Sequence, residues 1–359
     1  MLKILIIIFL GVFNAHASDY NIKKITSGFN IIWGFDFIDK DNIIINEKNG
    51  SIYKINIKNK KVYKLLELDV HNRSQGGLLD VKVSPYFSED NTIFFTYVKS
   101  INDVCYTALA KAKYLNNSLK DFEDILVTKS GTSKNYHFGS RITFSEKYIY
   151  FTLGDRGVRN SSQDLSNHNG SVMRLNINGT IPLNNPYIND KKVLDEIYSY
   201  GHRNAQGIFY DKKTSNLWLV EHGPRGGDEI NLIKPKKNYG WPIVSKGKEY
   251  YSSSSVGVSS KDGFEDAYKY YIPSIAPSSL VLYRGKNYPK LNGKILVSAL
   301  KERHINILTL DDKTNITSES RILENLNKRI RNLSISTDDK IYFSTDSGEI
   351  YLLESDPIK

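Results

Sequence analysis

RITFSEKYIYFTL, residues 141–153, is a short run of β-branched and aromatic residues, a polar turn at Ser145-Glu146-Lys147, and a second run, Tyr148–Leu153. It reads as two strands joined by a tight turn, because such residues fit a pleated, half-buried surface. The unit recurs along the chain. Trp33–Asn46 (WGFDFIDKDNIIIN), Leu78–Tyr97 (LLDVKVSPYFSEDNTIFFTY), Gly207–Val220 (GIFYDKKTSNLWLV), Ser279–Ser298 (SLVLYRGKNYPKLNGKILVS) and Arg331–Thr345 (RNLSISTDDKIYFST) repeat it, the fifth copy with a longer turn. Further strand-like runs lie between copies at Ser51–Ile57, Ser171–Asn176, Ile305–Leu310 and Glu349–Leu353. The copies are spaced by roughly 57 residues, the length of a four-stranded blade and its connecting loop. The expectation is an all-β chain, a six-bladed β-propeller of four-stranded antiparallel blades. From spacing alone a β-sandwich or a pair of small β domains stays open.

Composition fits a globular β protein. Of 359 residues, 40% are hydrophobic and 25% charged, and there are 24 tyrosines. The net charge of +10 is scattered, with no basic run interleaved with exposed aromatics, so nucleic acid is not an expected partner. Cys105 is the only cysteine, which excludes an internal disulfide and a multi-thiolate metal site. The opening MLKILIIIFLGVFNAHASDY has a basic Lys3, an apolar core too short to span a bilayer and a small-x-small Ala15-His16-Ala17. Residues 1–17 therefore read as a secretory signal, with residues 18–359 as one propeller domain, free of integral membrane segments and exported to the periplasm.

A propeller builds its site on one face, from loops of several blades. Motifs recur at the corresponding ends of the repeats. Gln75-Gly76-Gly77 offers an amide donor and acceptor beside backbone that a ligand can approach. Tyr136-His137-Phe138-Gly139 and Gly154-Asp155-Arg156-Gly157 flank one strand pair, so His137 and Asp155 can meet as a base and its orienting carboxylate. A lone His is also a common surface or core residue. Gly201-His202-Arg203-Asn204 opens the fourth copy. Lys301, Arg329 and Arg331 stand at the ends of later copies, and together with Arg203 they make a channel suited to an anionic ligand. Glu221–Pro242 (EHGPRGGDEINLIKPKKNYGWP) is too rich in Gly and Pro for an element interior and reads as a loop. Its carboxylates and the carbonyls at Gly223 and Pro224 are hard oxygen ligands suited to Ca²⁺. Taken alone, such loops are more often solvated turns.

In order, the motifs QGGLLDVKVSP, HFGSRITF, YFTLGDRG, GHRNAQG, EHGPRGGDEINLI, NYGWP, PSIAPS and SALK resemble those of the soluble sugar dehydrogenases dependent on pyrroloquinoline quinone (PQQ), the glucose/sorbosone dehydrogenase family of six-bladed propellers. The lack of large insertions resembles the broad-specificity aldose branch. The resemblance implies oxidation of an aldose at C1 to the aldonolactone, with hydride transfer to PQQ and an unidentified quinone or cytochrome as electron acceptor. It implies that His137 is the general base and Asp155 its support. Gln75, Arg203, Asn204, Lys301, Arg329, Arg331 and Thr345 would contact PQQ. Gly223 and Pro224 would hold a catalytic Ca²⁺, and Glu229 and Tyr239 at least one structural Ca²⁺, in a monomer or homodimer. Departures at Asp80, Tyr136 and Asn332 touch sugar specificity rather than cofactor. A Ca²⁺-dependent propeller lactonase and a non-catalytic sugar-binding propeller are the alternatives. The first would need carboxylates ringing one metal, and the second would have lost His137 or the cationic set.

Overall fold

The protein's structure is a computed structural model that describes residues 20–355; the expected signal at residues 1–17 lies outside the described residues. Six four-stranded antiparallel sheets form the ring of a β-propeller. Blades 1 to 5 each use four consecutive strands, with innermost strands Ile32–Phe37, Leu78–Val83, Ile142–Phe144, Ala205–Asp211 and Pro277–Leu282. Blade 6 runs outward through Ile330–Ile335, Ile341–Thr345 and Glu349–Leu353. Its outermost strand is Ile22–Thr26, from the other end of the chain, which pairs with Glu349–Leu353 and closes the ring. Closure by pairing the two ends of the chain covers an edge that would otherwise be open.

The repeated unit corresponds to the two inner strands of every blade. These strands pack on both faces, so they read as near-continuous apolar runs: Pro277–Leu282 and Ile295–Ala299 are buried throughout. Hydrophobic clusters fill the junctions between neighbouring blades. Ile44, Val81 and Phe95 join blades 1 and 2, for example, and Trp218, Leu280 and Val297 join blades 4 and 5. Outer strands such as Val62–Glu67 are largely exposed. Among the described residues no helix is long and apolar enough to cross a membrane.

One expectation is corrected. Glu221–Pro242 is not a single loop: Asp228–Ile233 is the third strand of blade 4, paired with Asn216–Glu221. Ile230 and Ile233 bury into the blade, and the Gly-rich piece is the connecting turn, with Gly226 and Gly227 at φ 79° and 78°. Local Gly and Pro density marked the turn correctly but was extended over a strand whose pairing partner supplies its stability.

Candidate active site

The innermost strands run in the same sense around the axis. Their far ends, including Lys82, Phe144, Tyr210, Leu282 and Arg284, line a cavity of about 530 Å³. The candidate residues gather at the other mouth, where these strands begin.

His137 lies just before the innermost strand of blade 3, at φ 57°, in the left-handed region that non-glycine residues rarely adopt. Two contacts hold it there. Its backbone N–H donates to Gln75 Oε1 at 2.8 Å, and its Nδ1 lies 2.7 Å from Asp155 Oδ1. The segments carrying His137 and Asp155 touch backbone to backbone: a Cβ on Gly154 would lie 2.3 Å from the His137 carbonyl oxygen, so only glycine fits. Asp155 also accepts from Gly157 N at 2.7 Å and from Trp241 Nε1 at 2.8 Å. Burial would raise the Asp155 carboxyl, but His137, Arg203 and the Gly157 N–H outweigh it and hold it below the usual carboxylate range. Burial lowers the His137 pKa below the ordinary histidine value, Asp155 opposes this and Arg203 adds to it. The pair at neutral pH is therefore Asp⁻ and neutral His. The carboxylate accepts the hydrogen bond from Nδ1–H, which leaves the lone pair on Nε2, unengaged by the described residues.

Arg203 and Asn204 precede the innermost strand of blade 4. Buried Glu221 fixes this turn by accepting from Arg203 N at 2.6 Å, from His202 Nδ1 at 2.8 Å and from Asn231 Nδ2 at 3.0 Å. Asn204 Oδ1 accepts from Gly139 N at 3.2 Å, which ties the turn to the His137 segment. The Arg203 side chain is buried, lies 5.2 Å from the Trp241 ring centre and donates through Nη1 to the carbonyls of His222 (3.0 Å) and Gly223 (2.7 Å). Its Nε is buried without a partner. Asp228 supports the same turn, accepting from Gly223 N at 2.9 Å and Ala276 N at 2.8 Å, and burial pushes its carboxyl up to about 6. The Pro224 carbonyl accepts from Ser274 Oγ at 3.2 Å, and Lys301 Nζ donates to the Ser274 carbonyl at 3.2 Å.

Arg331 and Arg329 do share a side of their segment, as alternation predicts, and they share one partner: Asp346 accepts from Arg331 Nε at 2.7 Å and from Arg329 Nε at 2.8 Å. Arg331 is buried and lies 4.2 Å from the Trp33 ring centre, whereas the Arg329 side chain is 47% exposed. Lys301 is exposed and lies 3.4 Å from Glu302. Thr345 is fully buried, its hydroxyl donating to Glu349 at 3.2 Å. The cationic set is thus partly neutralised by Asp346 and Glu302. It also gains a member: Lys48, whose ammonium is pushed below its ordinary value by burial and by Arg331.

Glu229 and Tyr239 meet at a small cavity of about 10 Å³ that Glu221 and Gly201 also line, together with Arg203, Gly223 and Trp241 of the site above. Burial, then the neighbouring Glu221 carboxylate, push the Glu229 carboxyl well above its ordinary value. Asn231 Oδ1 is buried nearby without a partner. The Tyr239 hydroxyl is committed elsewhere, donating to the Leu232 carbonyl at 2.7 Å. Among the described residues no three His, Cys, Asp or Glu side chains form a metal-ready group.

His222, Trp241, Glu221 and Asp346 were not singled out as site residues from sequence. His222 sits among Arg203, His137 and Arg331, and burial first, then these neighbours, push its imidazole down to about 3, while Nε2 donates to the Pro277 carbonyl at 2.7 Å. His222 and Glu221 lie inside EHGPRGG, so a signal existed. Trp241 is 86 residues from its partner Asp155, and nothing local announces that contact.

The family model for glucose/sorbosone dehydrogenase matches residues 29–353. The chain is 34% identical to the aldose sugar dehydrogenase YliI of Escherichia coli, over 80% of this chain and 79% of that one. It is 27% identical to the quinoprotein glucose dehydrogenase B of Acinetobacter calcoaceticus, over 93% and 87% of the two chains. The crystal structure of the soluble aldose sugar dehydrogenase from Escherichia coli in the apo-form superposes with a TM-score of 0.89 at 30% identity, covering 94% of this chain and 99% of that one. With the fold, the order of the motifs and these matches in agreement, the chain belongs to the glucose/sorbosone dehydrogenase family.

Proposed function

We propose that this sugar dehydrogenase oxidises aldoses at C1 to aldonolactones with PQQ and Ca²⁺, and that His137 is its general base. The observation that carries the reading is the juxtaposition of a neutral, carboxylate-oriented imidazole with a buried guanidinium whose Nε lacks an acceptor, at one mouth of the propeller. PQQ carries carboxylates, and Arg203 Nε is a buried donor lacking an acceptor, with Lys48, Arg331 and Lys301 around the same opening. The donor set fits the group. Gly223 and Pro224 would hold Ca²⁺ through two carbonyls. That is fewer than the six to eight oxygens the ion takes, so cofactor and water would complete the shell. When bound, PQQ supplies the quinone that takes up hydride, and Ca²⁺ polarises it.

The chain's own residues perform the proton chemistry. His137 Nε2 receives the proton of the anomeric hydroxyl, and Asp155 stabilises the imidazolium so formed. Gly157 N and Trp241 Nε1 keep that carboxylate in place, and the Gln75 contact fixes the ring's backbone. An electron acceptor, a quinone or a cytochrome, would take the electrons onward, and residues 1–17 would direct the chain to the periplasm. The test is to add PQQ and CaCl₂ to the purified protein and assay aldoses with an artificial electron acceptor. Dye reduction coupled to lactone formation supports the reading; no reduction with any aldose overturns it.

The pH profile tests the base. kcat/KM should fall on the acid side with a midpoint below the ordinary histidine value, because burial favours neutral His137. Asp155 raises that pKa, so Asp155→Asn should move the acid limb to lower pH while cutting the plateau rate roughly 10²-fold. An acid limb that moved upward in this variant would contradict the assignment.

The second cation makes a stability prediction. Glu229 has a folded pKa above its unfolded value, so its protonation stabilises the fold fully below the unfolded pKa, and this is lost as pH rises through the folded one. A cation beside Glu229 and Glu221 would replace that proton. CaCl₂ should therefore stabilise the fold, by about 2.7 kcal/mol at a hundredfold excess over Kd, and at one CaCl₂ concentration the rise in melting midpoint should be larger at pH 8 than at pH 5. Glu229→Gln should abolish the pH dependence of the calcium effect, as read by differential scanning calorimetry.

A further inference from the structure

The innermost strands share an irregularity. Register shifts fall between Ile32 and Gly34, Leu78 and Val81, Ala205 and Gly207, Pro277 and Ser279, and Ile330 and Asn332. Five blades thus carry a bulge where their innermost strand enters from the site mouth. A bulged residue leaves its backbone groups outside the ladder, and a buried carbonyl without a donor is costly. In blade 3, Arg141 occupies the position that leads into the innermost strand, and its side chain is 3% exposed.

That one guanidinium reaches every other blade. Nε donates to Gln206 O at 2.9 Å in blade 4. Nη1 donates to Trp33 O at 3.0 Å in blade 1 and to Asp80 Oδ1 at 3.2 Å in blade 2. Nη2 donates to Ser278 O at 2.9 Å in blade 5 and to Arg331 O at 2.9 Å in blade 6. All the N–H donors of a guanidinium are engaged, and each acceptor belongs to a bulged segment. Asp80 compensates the charge and also accepts from Ile142 N at 2.9 Å. Thr96 anchors the pair from behind, accepting from Asp80 N at 3.0 Å and donating to Ser140 O at 2.6 Å.

The acceptors are the floor of the candidate site. Arg331 is a cationic site residue, Trp33 lies beneath its guanidinium, and Gln206 donates to Asn204 Oδ1 and Gly139 O. The geometry points to Arg141 as the positioning residue of the cofactor cradle: its planar fork sets the bulges at one height and so fixes the spacing of site groups contributed by opposite blades. Arginine is required because a lysine ammonium, a compact point charge with fewer donors, cannot span these carbonyls at once.

This inference rests on the reading that PQQ binds at this mouth, and the experiment separates the two. PQQ is titrated into wild type, Arg141→Lys and Thr96→Val in CaCl₂, with tryptophan fluorescence as the readout and circular dichroism confirming that each sample is folded. If wild type does not bind PQQ, the cofactor reading fails. If it binds, Arg141→Lys should raise the dissociation constant by about tenfold or more, the effect of losing one or two strong buried hydrogen bonds. A rise below about threefold in folded protein, even with a lowered melting midpoint, would make Arg141 structural only and overturn the inference. Should Arg141→Lys not fold, the near-isosteric Thr96→Val, which frees Asp80 N and Ser140 O behind the pair, decides by the same threshold.

Discussion

His137→Ala should reduce sugar turnover by roughly 10²- to 10⁴-fold, the usual worth of a positioned general base, while leaving PQQ affinity within a few-fold of wild type. The two effects separate because the residue makes two kinds of contact. Its backbone N–H bond to Gln75 survives any side chain, so the segment that positions Gly139 and Asn204 persists. Only the imidazole is lost, and with it the contact that joins Asp155 to the space where a sugar would stand. Asp155 keeps Gly157 N and Trp241 Nε1 as donors, so the carboxylate is not orphaned and the fold should hold. Alanine at φ 57° carries the same left-handed strain that histidine already carries. The measurement is steady-state dye reduction beside a fluorescence titration of PQQ, with added imidazole as a rescue arm. Wild-type turnover in this variant would remove His137 from the chemistry, and lost PQQ binding would make it a cofactor contact.

The fold was legible in the sequence wherever packing wrote it locally. Each inner strand pair is buried on both faces and therefore consists of Ile, Val, Leu and aromatic residues around a polar turn; these are the six units that the pattern reveals. Outer strands were not legible. Val62–Glu67 and Ile316–Ile322 bury few side chains, so they hold their conformation through pairing with a neighbour and leave little mark on composition. Asp228–Ile233 was obscured for a related reason, since its Gly-rich turn dominated the window. Ring closure by Ile22–Thr26 depends on a strand more than 300 residues away, which no window contains.

The site divides in the same way. His137, Asp155, Gln75 and Arg203 stand in short Gly-flanked motifs at strand ends, where chemistry-bearing residues are expected, and the structure connects them by hydrogen bonds. What sequence could not supply was partner choice. Asp346 neutralises Arg329 and Arg331 from the next turn of the blade, and Glu221 holds the Arg203 backbone across a hairpin. Trp241 reaches Asp155 from a different blade's loop. Counting cations at blade entrances therefore overstated the free positive charge. Arg203, by contrast, donates to the His222 and Gly223 carbonyls, and its Nε is buried without an acceptor.

That unmet donor leads to the second large effect. Arg203→Ala should weaken PQQ binding by about 10- to 100-fold, the equivalent of a charged hydrogen bond worth about 1.5–3 kcal/mol in a buried setting. Arg329→Ala should change affinity far less, because the Arg329 side chain is 47% exposed and already engaged by Asp346. Arg203→Lys should recover only part of the loss: an ammonium restores the charge, but one fork no longer spans the His222 and Gly223 carbonyls while offering Nε to a ligand. The same substitution reports on the base. Arg203 lowers the His137 pKa, so removing its charge should move the acid limb of kcat/KM to higher pH, opposite to Asp155→Asn. Opposite displacements from two residues on either side of one imidazole are hard to obtain from general loosening of the site, which would move both variants alike. Equal PQQ affinity in wild type and Arg203→Ala, measured with calcium saturating, would show that the anionic group binds elsewhere and that the unpaired Nε is met by solvent.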